Sequence, residues 1–153
     1  MNLPEKMESL ISLAKERGKE LQYDGCSRDE INEILSTNNT FLPPESYLSF
    51  MRKMGKKAGH IFLGSSLFYP GCLLAFEDID EIFSEEELEK IFLFGHHQGY
   101  QYYFFKKGEA GVWMRTDLTS ISDERVAASF EELLEKEIEA ARKILCPPPS
   151  QGC

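Results

Sequence analysis

The stretch from Ile91 to Phe105, IFLFGHHQGYQYYFF, constrains the fold most, because seven of its fifteen residues are aromatic and need cover from water. Ile91 to Phe94 is a short apolar run, as expected for a strand buried on both faces. Gly95 and Gly99 bracket a polar patch and free the backbone where the chain turns. Tyr100, Tyr102 and Phe104 then fall on one face of an extended chain, and Gln101, Tyr103 and Phe105 on the other. Lys106 to Gly111 reads as a hairpin loop, and Val112-Trp113-Met114-Arg115 as the returning strand. Residues 91–95, 100–106 and 111–115 are therefore expected to be sequential antiparallel strands. The connections between them are too short for a parallel crossover, which needs about a dozen residues. His60-Ile61-Phe62-Leu63 is expected to join the same sheet, and Leu73 to Phe76 reads as another apolar strand.

A sheet this aromatic needs cover, and the flanking segments have helical periodicity. Leu3, Met7, Leu10, Ile11 and Ala14 share one helical face, with Asn2 placed to cap and Pro4 in the first turn. Tyr47, Phe50, Met51 and Met54 recur at i, i+3, i+4 and i+7 after Pro43-Pro44, with Gly55 as the stop. Phe130, Leu133, Leu134, Ile138, Ala141 and Leu145 form the inward stripe of a last helix. Ser27 to Glu30, Ser84 to Glu87 and Ser129 to Glu132 each have the form of a capping box. Leu67, Phe68 and Tyr69 are unusually apolar for the loop between Gly64 and Gly71. They either pack back on the sheet or belong to a contact surface. Trp113 and Phe130 are expected against one core. The reading is an α+β domain over residues 1–146, with a central, mainly antiparallel meander and helices around it. Pro147-Pro148-Pro149 opens a loose tail over 147–153.

Several function classes are disfavoured. No apolar run approaches the roughly 20 residues of a membrane span, and no basic segment followed by an apolar run opens the chain. Cytoplasmic residence is the expectation. The four cysteines include no CxxC pair, so free thiols in a reducing compartment are expected. His96-His97 with His60 lacks metal-ligand spacing, Cys72 lacks an orienting third group, and carboxylates are too abundant for any one pair to be specific. Gly64-Ser65-Ser66 and Gly95 to Gly99 lack the lysine or the GxGxxG spacing of phosphate loops. The expectation is a protein with no catalytic residues, no cofactor and no metal.

Charge gives the positive signal. The formal net charge is −9, which argues against direct nucleic-acid binding and suits a basic partner. Between residues 77 and 89, eight of thirteen residues are acidic and none is basic. Glu77, Asp78, Asp80, Glu81, Glu85, Glu86, Glu87 and Glu89 form either a solvated helical face or a docking surface. Tyr69 and the His96-His97-Gln98 loop are candidate adjoining contacts.

Three segments in order carry a family resemblance. Leu42-Pro43-Pro44-Glu45-Ser46-Tyr47-Leu48-Ser49-Phe50-Met51 resembles the "LP, two residues, Y, two residues, F, hydrophobic" helix of the SUKH superfamily. Phe92-Leu93-Phe94-Gly95, followed by Gly99 and Tyr102 to Phe104, is similar to that family's glycine-containing hairpin. Val126-Ala127-Ala128-Ser129-Phe130-Glu131-Glu132-Leu133-Leu134 resembles its closing helix. With the short helix at Ser27 to Leu35, the resemblance covers about residues 27 to 140. The chain departs from the family in loops, reading Met54-Gly55-Lys56-Lys57 where Asn-Gly-Gly is frequent and His96-His97-Gln98 where an acidic or small polar residue is common. The family includes the Smi/Knr cell-wall-synthesis regulator domain and many bacterial immunity proteins. The resemblance implies an α+β fold without catalysis. It also implies a cytoplasmic immunity role, in which the chain binds and neutralises a cognate toxin of nuclease or deaminase type. The alternative within the same family is a regulatory or scaffold domain of the Smi/Knr kind, with no toxin partner.

Overall fold

The structure, a computed structural model, describes residues 1–116 and 123–147. The proposed tail beyond Pro147, and the polar stretch at 117–122, lie outside the described residues. In chain order the elements are α1 (Leu3–Glu16), a single 3-10 turn (Glu20–Gln22), β1 (Tyr23–Asp24), α2 (Arg28–Asn38), α3 (Glu45–Met54), β2 (Lys57–Ala58), a longer 3-10 helix (Gly71–Phe76, called the 3-10 helix below), α4 (Ile79–Ile82) and α5 (Glu85–Leu88). β3 (Ile91–His97), β4 (Gln101–Lys106), β5 (Val112–Thr116), β6 (Glu124–Ala127) and α6 (Phe130–Leu145) complete it. The fold is α+β: a four-stranded antiparallel sheet in the order β3-β4-β5-β6, a two-stranded β1-β2 ribbon, and surrounding helices. No helix among the described residues is long and apolar enough to cross a membrane.

The meander forms as its alternation predicts, with Phe104 opposite Leu93 and Trp113, and Phe105 opposite Phe92 and Val112. The register shifts between Leu93 and Gly95, so Phe94 has no partner across the ladder. This bulge turns both Phe94 and Gly95 towards one face. A Cβ on Gly95 would lie 2.0 Å from Leu67 Cδ2, so here the glycine is required by close packing and not by a turn. β3 has an open edge, and side chains close it. The Asn38 amide accepts from Leu93 N–H at 2.8 Å and donates to Leu93 C=O at 2.9 Å. The Thr40 hydroxyl donates to Ile91 C=O at 2.9 Å, and Ser66 bridges to His96. An unpaired row of backbone groups is an invitation to non-native pairing, and this arrangement removes it.

Each face of the sheet has its own core. Phe92, Phe94, Phe105 and Val112 face a large cluster with α1, α3 and α6. Tyr47 sits at its centre, with ring centroids 5.5–5.8 Å from Phe92, Phe94, Phe105 and Phe130. Ile91, Leu93, Tyr102 and Phe104 face a smaller cluster with Ala75 and Phe83, and Trp113 packs against it. Trp113 and Phe130 therefore lie on opposite faces, which corrects the expectation of a shared core. Strict alternation puts Trp113 opposite in sense to its neighbour Val112, and Val112 belongs with Phe130.

Three other expectations change. His60 to Leu63 is a turn and not a strand of the sheet, because Gly59, Phe62 and Gly64 all take positive φ and the chain cannot extend. Leu73 to Phe76 forms part of the 3-10 helix instead of a strand. Glu124–Ala127 forms the fourth strand, paired to β5. Cys26 and Cys72 are free thiols buried in the large core, and burial pushes them up to about 11 and about 12. Cys146 is disulfide-bonded, so the expectation of free thiols fails there.

Candidate interaction surface

The acidic run is built on two helices of four residues each, α4 and α5, joined by Phe83 and Ser84. Such short helices are not stable alone, so local capping and packing must hold them. Ser84 and Glu87 form a reciprocal capping box at the start of α5, as the sequence suggests. Phe83 is buried edge-on against Phe104 and Tyr102, with ring centroids 5.3 and 6.3 Å apart.

Arg115, on β5, locks the segment down. Its guanidinium lies 4.3 Å above the Phe83 ring and donates to Ile82 C=O at 2.9 Å. It grips Glu87 through two bonds of 2.5 and 3.2 Å, and Asp123 through two of 2.7 and 3.2 Å. This double fork is the geometry for which arginine is suited and lysine is not. Arg115, aided by the Ser84 N–H, holds the Glu87 carboxyl down to about 2. The sequence reading missed Arg115. The available signal was one arginine in an aromatic meander next to a run of unpaired acids.

Glu87 is thus committed to the fold. The other seven carboxylates, of Glu77, Asp78, Asp80, Glu81, Glu85, Glu86 and Glu89, are exposed. Among the described residues none of the seven makes an ion pair. Leu74, on the 3-10 helix that leads into the run, is 56% exposed. The strand expected over Leu73 to Phe76 is a 3-10 helix here, and it carries Leu74 outward. Leu74 adds an apolar contact beside the acids.

Of the remaining candidates, only His96 contacts the 3-10 helix that leads into the acids. Tyr69 is half-buried and its hydroxyl donates to Glu33 on α2 at 2.8 Å, a contact that raises its pKa. His96 Nε2 lies 3.4 Å from Gly71 C=O at the start of the 3-10 helix, and His97 Nδ1 lies 3.2 Å from Ser65 Oγ. The two imidazoles therefore serve different neighbours. Gln98 is exposed at the hairpin tip, with φ 54°, and accepts from the Tyr100 hydroxyl at 2.9 Å. Among the described residues no three His, Cys, Asp or Glu side chains gather as metal ligands.

Beyond the acids, a cleft of about 650 Å³ opens between α5 and the strands. Four of its charged residues are tied to one another. Arg115 is held by Glu87 and Asp123, and Lys106 lies 3.9 Å from Asp123 and 3.6 Å above the Trp113 ring. In comparisons with known proteins, the chain matches no family model and no curated protein.

Proposed function

We propose that this chain is a non-catalytic protein-binding domain of the immunity type, which neutralises a basic, nucleic-acid-acting toxin by occupying its phosphate-binding groove. The observation that carries the reading is the ribbon of seven exposed carboxylates that, among the described residues, have no ion-pair partners. It is mounted on the second face of the sheet and flanked by exposed Leu74. A toxin that cleaves or edits nucleic acid needs a cationic groove to hold phosphates. An acidic ribbon competes for that groove and is steered towards it over a distance of about a Debye length. The resemblance to SUKH immunity proteins supports the same reading, and the α+β meander with surrounding helices is in keeping with it.

The division of labour follows from physics. Rim charges set the association rate, and desolvated apolar anchors set dissociation. Reversing Asp80, Glu81, Glu85 and Glu86 to Lys is expected to slow association with the toxin encoded beside this gene by roughly tenfold or more at low salt, and to flatten its salt dependence. Leu74→Ala is expected to raise the dissociation rate instead. Association kinetics at two ionic strengths, with circular dichroism as the folding control, check both. Unchanged association in the charge-reversed variant overturns the assignment of this surface. No binding by the native chain favours the regulatory role of the Smi/Knr kind.

A further inference from the structure

A second site lies on the other face of the sheet. A pocket of about 340 Å³ is walled by Phe62, Phe94, Tyr103 and Leu133, with Glu137 in its lining. Its mouth is flanked by two apolar side chains that are open to water, Leu63 at 72% and Val126 at 37% exposure. The volume is at the lower end of the range for ligand pockets, which starts near 300 Å³.

Glu137 is the informative residue. It lies one turn beyond Leu133 and two beyond Phe130 on α6, so it interrupts the inward stripe of the helix with a carboxylate. Burial pushes its pKa up, and a hydrogen bond from the Phe62 backbone N–H opposes that shift. Phe62 makes this contact from a left-handed backbone, at φ 53°, a conformation that is strained for a bulky residue. Among the described residues no ion pair involves Glu137, although His60 also lines the pocket. Ser65, also in the lining, meets His97 Nδ1 at 3.2 Å.

A part-buried carboxylate among aromatic faces lacks one thing, a cation. An anionic ligand is repelled, and a purely apolar one strips water from the carboxylate without replacing it. A cation on a small apolar body satisfies both parts, pairing with Glu137 while the rings contribute cation–π and packing contacts. We propose that this pocket binds a small hydrophobic ammonium compound. Glu137 receives its charged head, and the wall of Phe62, Phe94 and Tyr103 receives its body. This inference is independent of the acidic ribbon and of any toxin partner.

The probe is 2-phenylethylammonium, compared with 2-phenylethanol and 3-phenylpropionate, which have similar bodies with neutral and negative heads. Titration followed by calorimetry and by amide chemical shifts is expected to show the ammonium binding roughly tenfold or more tighter than the alcohol, and no binding of the carboxylate. Shifts should localise to Phe62, Tyr103 and Glu137. Glu137→Gln keeps an acceptor for the Phe62 N–H and is expected to remove the preference for the ammonium over the alcohol. Val126→Trp, which narrows the mouth without touching the carboxylate, is expected to weaken all binding. To separate a free amine from a lysine side chain as the source of the same chemistry, an N-acetyl-lysine amide is titrated alongside. It is expected to bind at least several-fold more weakly because it lacks an aromatic body. The proposal is overturned if the ammonium binds no better than the alcohol, if Glu137→Gln retains the preference, or if the lysine derivative binds best.

Discussion

Tyr47 shows how much of this molecule is decided by individual side chains. Its ring is enclosed by four phenylalanines, yet among the described residues no group hydrogen-bonds its buried hydroxyl. Burial pushes the phenol far above its ordinary pKa, so only the neutral form exists there. The ring is therefore what the fold needs from this residue. Tyr47→Phe is expected to change stability by less than about 1 kcal/mol, in either direction, because it removes a polar atom without a partner. Phe130→Ala is the contrasting case. Phe130 is 1% exposed and packs on Tyr47, Phe50, Phe62, Phe94 and Phe105, so a loss of about 3–5 kcal/mol is expected in urea unfolding. Glu87 contributes through charge. Its pKa is held near 2 in the folded chain, below the unfolded value of about 4.3. Its contribution is thus fully present above about pH 5 and is lost as pH falls towards about 2. Glu87→Gln should be less stable than the native chain at pH 7, by on the order of 1 kcal/mol given the exposure of the pair. The gap between the two should close at about pH 2–3. A gap that stays constant with pH would mean that the capping contact, and not the charge, is what matters.

The elements differ in how far the sequence disclosed them. β3, β4 and β5 were legible because aromatic alternation has one period and the turns between are short. The helices were legible from their stripes and caps. The Ser27 and Ser84 boxes close reciprocally, and at Ser129 the hydroxyl accepts from Glu132 N–H. The 3-10 helix was not legible, since four apolar residues in a row fit a strand or a buried turn equally well. The turn at His60 to Leu63 was hidden because nothing in a phenylalanine announces positive φ. Alternation gave Trp113 a definite side of its strand, but which side met which helix was settled only by packing. The acidic run was plain, while the Arg115 anchorage that fixes it is a long-range contact, signalled only by one arginine in an aromatic meander. Asn38 is of this kind too. It ends α2, and its amide then acts as one more rung on β3. Asn38→Ala removes both bonds and leaves the Leu93 N–H and C=O without them. A loss of about 1–3 kcal/mol is expected, with faster hydrogen exchange at the Leu93 amide and a greater tendency to aggregate through the uncovered edge. Unchanged exchange at Leu93 would show that other groups close this edge.

At the scale of the molecule, the two cores imply two levels of stability. The first face of the sheet is sealed by three long helices, α1, α3 and α6, and by the cluster around Tyr47. The second face is sealed by the ribbon from the 3-10 helix to α5, over only six buried residues. Opening that ribbon exposes far less apolar surface than unfolding the whole chain, so its free energy must be lower than the global value. The ribbon also carries seven exposed carboxylates that have no ion pair among the described residues, and their mutual repulsion favours opening and is weakened by salt. The feature proposed to attract a basic partner is thus the one that loosens its own support, and Phe83 and Arg115 oppose that loosening from below. Native-state hydrogen exchange should therefore resolve amides of residues 77–90 as a unit that opens before β4 and α6. Raising ionic strength from about 20 mM to about 500 mM should slow exchange in this unit and leave β4 nearly unaffected, because the Debye length shrinks from about 20 Å to about 4 Å and the repulsion among the exposed carboxylates is screened. Phe83→Ala should speed exchange in 77–90 while protection in α6 persists. A basic partner bound to the ribbon should slow exchange there even at low salt, by neutralising the charges that drive opening. If residues 77–90 and β4 instead exchange with one common free energy, and respond alike to salt, the two faces unfold as a single unit and the acidic ribbon is no looser than the core.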